Sequence, residues 1–173
     1  MSQRDVINQI FKELDNIREN LFQTIEMLPS SVFEPRFDSK WNAPKILGHL
    51  AKFETLLAEF FQNYILPNAK KVSPAKNPKR LSENWKDAMA NDSKKYEAPE
   101  ILRSKAVVKN SYKELFIENR EKLKQAVYQK IDKDFDSIVI PHPNGTKLNL
   151  VQWLELFGAH EKRHIRQLEH LSF

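Results

Sequence analysis

Apolar residues, with Thr24 among them, recur at three- and four-residue steps through Val6, Ile10, Leu14, Ile17, Leu21, Thr24 and Leu28. That is the period of a helix with one buried stripe. Pro29 disfavours helical backbone in the residue before it, and Ser30 and Ser31 follow, so the first helix is expected to end near Leu28. After a loop that contains Pro35, Asn42 can cap a second helix with Pro44 in its first turn, where a missing N–H costs nothing. Its stripe is Ile46, Leu50, Phe53, Leu57, Phe60 and Tyr64, and it is expected to reach about Leu66, before Pro67. Residues 67–104 are polar and broken by prolines, with one short helix predicted over Leu81 to Ala90, and they form a long crossover. A third long helix is predicted from Lys105 to Lys130, with Val108, Tyr112, Leu115, Asn119, Leu123 and Ala126 along one side. Asn119 interrupts an otherwise apolar line. Phe135 to Ile140 alternates like a short extended segment, and His142-Pro143-Asn144-Gly145 is a turn. Asn149 with Gln152 three residues on forms a capping box that opens the last helix, which carries Leu150, Trp153, Phe157, Leu168 and Leu171 inward. Four long helices without an internal repeat predict an all-α fold: a four-helix bundle with a long crossover between helices two and three.

Composition supports this picture. A chain of 173 residues with 40% hydrophobic content can fill one core, so one domain over 1–173 is expected, and only 3 Gly argues against a turn-rich β fold. The absence of Cys excludes disulfides and thiolate ligands, so any metal site must come from His, Asp or Glu. The charged, amphipathic N-terminus has no signal-peptide core, and no apolar run reaches the roughly 18 residues of a membrane span, so a cytoplasmic protein without membrane association is expected. The formal charge is +5, with the densest basic cluster at Lys70, Lys71, Lys76, Lys79 and Arg80. Pro74 and Pro78 make the stretch 67–80 a loop, and no exposed aromatics interleave with it, so it reads as a solvated basic loop and not as a nucleic-acid surface.

The histidines add chemistry. A helix turns about 100° per residue, so His160 and His164 differ by about 40° and fall on the line of Trp153, Phe157 and Leu168. Residues four apart have Cβ atoms roughly 5–6 Å from each other, which lets two rings meet at one ion. His49 lies on the inward line of helix two, between Ile46 and Phe53. One inward histidine is ordinarily a hydrogen-bonded core residue. Three among Phe, Leu and Trp leave several polar atoms to satisfy, and one metal could satisfy a nitrogen on each ring. His142 sits in a turn and His170 is rotated about 240° from His164, so both are expected at the surface, with His142 also a candidate for a pocket mouth. His160-Glu161-Lys162-Arg163-His164 also spells H-E-x-x-H, the zinc-protease signature. The longer protease pattern needs Gly where Gln167 stands and a Met-turn downstream, yet only Leu171, Ser172 and Phe173 follow His170.

Taken together, Trp41…Ile46-Leu47-Gly48-His49-Leu50, His142-Pro143…Gly145…Gln152-Trp153-Leu154 and His160-Glu161…Arg163-His164…Gln167 resemble the DinB/YfiT-like superfamily over nearly the whole chain. The resemblance implies a four-helix bundle with a three-histidine metal site, one ligand from helix two and an H-x-x-x-H pair from helix four, corresponding to His49, His160 and His164. It also implies a thiol-dependent S-transferase or isomerase, or a metal-dependent hydrolase, and no DNA-binding role. Segment 67–104 contributes no diagnostic residue to it.

Three neutral imidazoles leave a divalent ion's charge uncompensated and a coordination position open, as in catalytic sites. Zinc is the first choice, with nickel or iron also compatible. Zinc would bring the pKa of bound water to about 7 or hold a low-molecular-weight thiol as thiolate. Glu161 could act as general base or orient an imidazole, and Arg163 could dock an anionic substrate. The plainer alternative makes Glu161, Arg163 and Gln167 solvated surface residues. The expected function is therefore that of a metal-dependent hydrolase or thiol-dependent S-transferase acting on a small molecule. The alternative is a non-catalytic helical protein with a structural metal or a ligand- or partner-binding role. A homodimer is left open.

Overall fold

A computed structural model describes residues 1–34, 41–65, 69–73, 76–91, 102, 106–107 and 109–171. Five α-helices account for most of them: α1 (Gln3–Met27), α2 (Ala43–Asn63), α3 (Glu83–Ala90), α4 (Tyr112–Gln129) and α5 (Leu150–His170). A two-stranded antiparallel ribbon, β1 (Val139–Pro141) and β2 (Lys147–Asn149), precedes α5. The fold is all-α, as the stripes predict.

Helix ends follow local chemistry. Ser2 and Asp5 form a reciprocal capping box on α1, and Asn149 and Gln152 form one on α5. Asn42 accepts from Lys45 N to open α2, Pro44 lies in its first turn, and Ser82 caps α3. The turn between the strands places Gly145 at φ +88°, a backbone conformation that favours glycine, while Gly145 N donates to His142 O at 2.8 Å.

Three expectations need correction. The third long helix starts at Tyr112, after a 3₁₀ turn over Lys109–Ser111; Lys105 and Val108 lie outside the described residues. Its inner face is centred on Phe116, Asn119, Leu123 and Ala126, because Phe116 and not Leu115 is the wholly buried residue of that turn. The second helix ends at Asn63; Ile46, Leu50 and Leu57 are buried as expected, Leu47 and Phe61 join them, and Phe53 and Phe60 are only half-buried while Tyr64 is 62% exposed. Leu66 and Pro67 lie outside the described residues. Finally, Phe135–Ser137 is a 3₁₀ turn, and the strand is confined to Val139–Pro141. Asp134 accepts from Asp136 N and starts that turn, which overrides the alternating pattern.

In the packing, α1 lies against α5, α2 lies against both α4 and α5, and α3 lies on α5. Two apolar clusters form. One holds Leu14, Leu57, Phe61, Leu123, Phe135 and Phe157; the other holds Leu21, Leu47, Leu50, Phe116, Ile165 and Leu168. The basic loop is tied down where it can be described: Lys76 Nζ meets Asp134 at 2.7 Å, and Arg80 Nε meets the buried Glu155 at 2.7 Å. Among the described residues no helix is long and apolar enough to cross a membrane.

Candidate metal centre

The inward line of α2 and that of α5 meet where His49 faces His160 and His164. His49 Nε2 lies 2.8 Å from His160 Nε2, and His164 Nε2 lies 3.2 Å from the same atom. All three ligand atoms fall within 4.8 Å of one another. Zinc–imidazole bonds of about 2.0–2.1 Å place tetrahedral nitrogens about 3.4 Å apart, so the two pairs that share His160 Nε2 stand close to the spacing an ion needs.

Two of the rings are oriented from behind. His49 Nδ1 lies 3.2 Å from the carbonyl of Leu102, and His164 Nδ1 lies 2.7 Å from Gln167 Oε1. Both partners are acceptors, so each Nδ1 carries the proton and each Nε2 presents a lone pair to the shared point. A lone proton on His160 Nε2 could serve only one neighbour well. A cation serves all three. Aromatic rings close the sides: Trp41 stacks on His164 with ring planes 2° apart, and Phe53 stacks on His160 at 4.9 Å between centroids.

Burial keeps these imidazoles neutral. It lowers the pKa of His49 against the opposing Leu102 carbonyl, and it lowers His160 well below the ordinary value, helped by His164, His49 and Arg163. Burial, then His49, brings His164 down to about 3. Neutral rings are the form that ligates. They also couple metal-free stability to pH. Below the ordinary imidazole pKa of about 6.5 the unfolded chain binds protons that the folded site refuses, so folding stability rises with pH there. The contribution is complete above about 6.5 and is lost as pH falls towards the folded values. Urea midpoints of metal-free protein are expected to fall between pH 7.5 and pH 5, and to fall less in His164→Leu.

Glu161 turns elsewhere. It follows His160 by one residue, about 100° around the helix, which carries it towards α1 and α4. There its wholly buried carboxylate accepts from Arg18 Nε at 2.5 Å and from Arg120 Nη2 at 3.5 Å. Burial pushes this carboxyl up, opposed by Arg18 and Arg120. The carboxylate expected to serve as a base beside the ligand pair is thus already engaged by two guanidiniums. Arg163 is 7% exposed and donates through Nη1 to the carbonyl of Asn91 at the end of α3. Its charge helps to lower both His160 and His164. His170 is exposed as expected, whereas His142 is half-buried, with its ring 5.8 Å from that of Trp153. The hairpin folds back on α5, with Trp153 Nε1 donating to Ile140 O, which removes His142 from the open surface.

Gln167, a solvated surface residue in the plainer sequence reading, is half-buried against His164. The i, i+3 spacing from His164 was the signal that the two side chains could meet. Replacing Gln167 with Leu frees the ring to rotate and is expected to weaken zinc binding about 10- to 100-fold in chelator competition, with the helical circular dichroism unchanged.

Residues 13–168 match the sequence profile of the DinB superfamily. The chain belongs to the DinB superfamily. Over 135 residues it is 25% identical to the Uncharacterized protein YuaE of Bacillus subtilis (strain 168), an alignment that spans 77% of this chain and 78% of YuaE. No solved structure matches it. The DinB match covers α2, α3, α4 and most of α1 and α5, and includes all three histidines.

Proposed function

We propose that this DinB-superfamily protein is a metal-dependent enzyme that holds one divalent ion, zinc by preference, on His49, His160 and His164, and uses it for thiol-dependent S-transfer to a small molecule. The observation that carries the reading is the convergence of three Nε2 atoms, with Nδ1 of two rings committed to acceptors behind them. Such an ion supplies a Lewis acid with an open position that favours the anionic form of a bound ligand. Thiol chemistry is favoured over hydrolysis because Glu161, the carboxylate next to the ligand pair in sequence, is committed to Arg18 and Arg120. A thiol gives up its proton to solvent on binding and needs no such base.

In the transfer, the sulfur lone pair forms a new S–C bond while the leaving group departs from that carbon with its electron pair. The residues of the chain provide the setting: Trp41 and Phe53 wall the position, and Arg163 offers positive charge to an anionic substrate or leaving group. Cobalt-loaded protein titrated with cysteine and with 2-mercaptoethanol tests the reading. A sulfur-to-cobalt charge-transfer band is expected, absent from His49→Ala. If neither thiol changes the cobalt spectrum, the thiol reading fails. Hydrolysis of simple esters or amides would then support a hydrolase, and inactivity would favour a non-catalytic metal protein.

A further inference from the structure

The two apolar clusters are separated by a layer of buried charge to which each of the four long helices contributes one residue: Arg18 from α1, Glu54 from α2, Arg120 from α4 and Glu161 from α5. Each occupies a position where the local stripe calls for an apolar side chain. Arg18 sits between Leu14 and Leu21, Glu54 between Leu50 and Leu57, Arg120 between Phe116 and Leu123, and Glu161 between Phe157 and Ile165. The four close into a ring. Arg18 reaches Glu54 at 2.9 Å and Glu161 at 2.5 Å; Arg120 reaches Glu54 at 2.6 Å and Glu161 at 3.5 Å. Both glutamates have no solvent exposure. Arg18 also donates to the Phe116 carbonyl at 3.0 Å, and Arg120 to the half-exposed Asp15 at 2.8 Å.

Apolar packing is tolerant of small rotations and slides, because one leucine contact substitutes for another. A buried guanidinium–carboxylate ring is not tolerant, since any misregister leaves a charge without its partner. Its two glutamates belong to the two helices that carry the histidines: Glu161 is bonded in sequence to His160, and Glu54 lies five residues beyond His49. Locking Glu54 and Glu161 onto the same two arginines therefore fixes the rotation of α2 and of α5 about their axes. Those two rotations set the separation of His49 from His160.

We propose that Arg18, Glu54, Arg120 and Glu161 are positioning residues that hold the three imidazoles in ligating register. None of them touches the ion. The inference rests on the metal-centre reading above, and the test separates the two.

The experiment replaces the ring with apolar residues of similar length, Arg18→Met, Glu54→Leu, Arg120→Met and Glu161→Leu, in one chain. Removing all four charges together leaves no orphaned partner inside the bundle, so the variant is expected to unfold at a denaturant concentration no lower than the unsubstituted protein. Its zinc affinity by chelator competition is expected to drop at least about 10-fold, the scale of lost ligand support, and its cobalt visible spectrum to change. Unchanged affinity and an unchanged cobalt spectrum in an equally stable variant would overturn the proposal. Should the variant not fold, Glu54→Gln is compared in the same way, and unsubstituted affinity there overturns it equally. Failure of the unsubstituted protein to bind zinc would sink the metal-centre reading alone. The ring's role is then read in the metal-free protein by the imidazole nitrogen resonances: one sharp set with protonated Nδ1 on His49 and His164 in the unsubstituted chain, lost in the variant. A single set in both would refute positioning.

Discussion

Replacing His160 with alanine is expected to abolish metal binding and leave the bundle folded. Its Nε2 is the atom that both other rings approach, at 2.8 and 3.2 Å, so its loss leaves His49 and His164 without the nitrogen that links them. Losing a supporting partner around a ligand ordinarily costs 10- to 100-fold in affinity, and losing the ligand itself is expected to exceed about 100-fold. The fold has other supports. Its two apolar clusters include Phe61, Phe116, Phe135 and Phe157, all wholly buried, and none of these contacts requires an ion. Equilibrium dialysis against zinc should show the metal lost, while far-UV circular dichroism stays at the level of the unsubstituted protein. Retention of zinc at unsubstituted affinity would rule out the proposed pair on α5. Complete unfolding on chelation of the unsubstituted protein would make the metal structural and favour the non-catalytic reading.

The second large effect is expected from Arg18→Ala. Deleting one partner of a buried ion network leaves the others charged and unpaired, which costs about 3–5 kcal/mol. Here Glu54 and Glu161 both lose a guanidinium, and the Arg18 side chain also leaves the face of the Phe116 ring, 4.4 Å from its centroid. For a chain of this size that cost lowers the melting temperature by roughly 10 °C. Burial alone would lower the pKa of Arg18, yet Glu161 and Glu54 outweigh it and hold it raised, which is the sign expected of a charge the folded state depends on. The contrast is with Lys122 and Glu118, a pair on the surface of α4 with both side chains more than half exposed; Lys122→Ala is expected to leave the melting temperature almost unmoved. Calorimetric melting of both variants checks the difference. Equal, small shifts would mean that solvent reaches the ring and screens it.

These two residues also show where the sequence is legible and where it is not. His160 was readable because its neighbours at i−7, i−3 and i+4 are Trp153, Phe157 and His164, so period alone assigns it to the inner face. The same arithmetic applied to His49, and the two predictions meet at one point in space. The apolar stripe of α1 runs through Ile17, yet Ile17 is only partly buried and Arg18, one position away, is the buried residue. A lone charge on an apolar stripe is ordinarily a boundary residue with its head in solvent. Only the pairing of four such charges from four helices makes them a core element, and pairing between helices is a tertiary fact that no single stripe contains. Phe116 was missed for a related reason: α4 has polar residues on every turn, so the choice between Leu115 and Phe116 depended on the contacts of α2. The acceptor for His49 is a backbone carbonyl at Leu102, for which no side-chain signal exists. Gln167, by contrast, stood at a spacing that predicts contact.

In the proposed centre three imidazoles share one divalent ion, with a position left for an exogenous ligand. X-ray absorption at the zinc edge of the loaded protein, recorded with and without a bound thiol, measures this most directly. One zinc per chain is expected, with three imidazole nitrogens at about 2.0–2.1 Å and a fourth light atom, replaced by sulfur at about 2.3 Å when thiol is added. A first shell with fewer than three imidazoles, or with a carboxylate completing a closed four-ligand protein set, would contradict it.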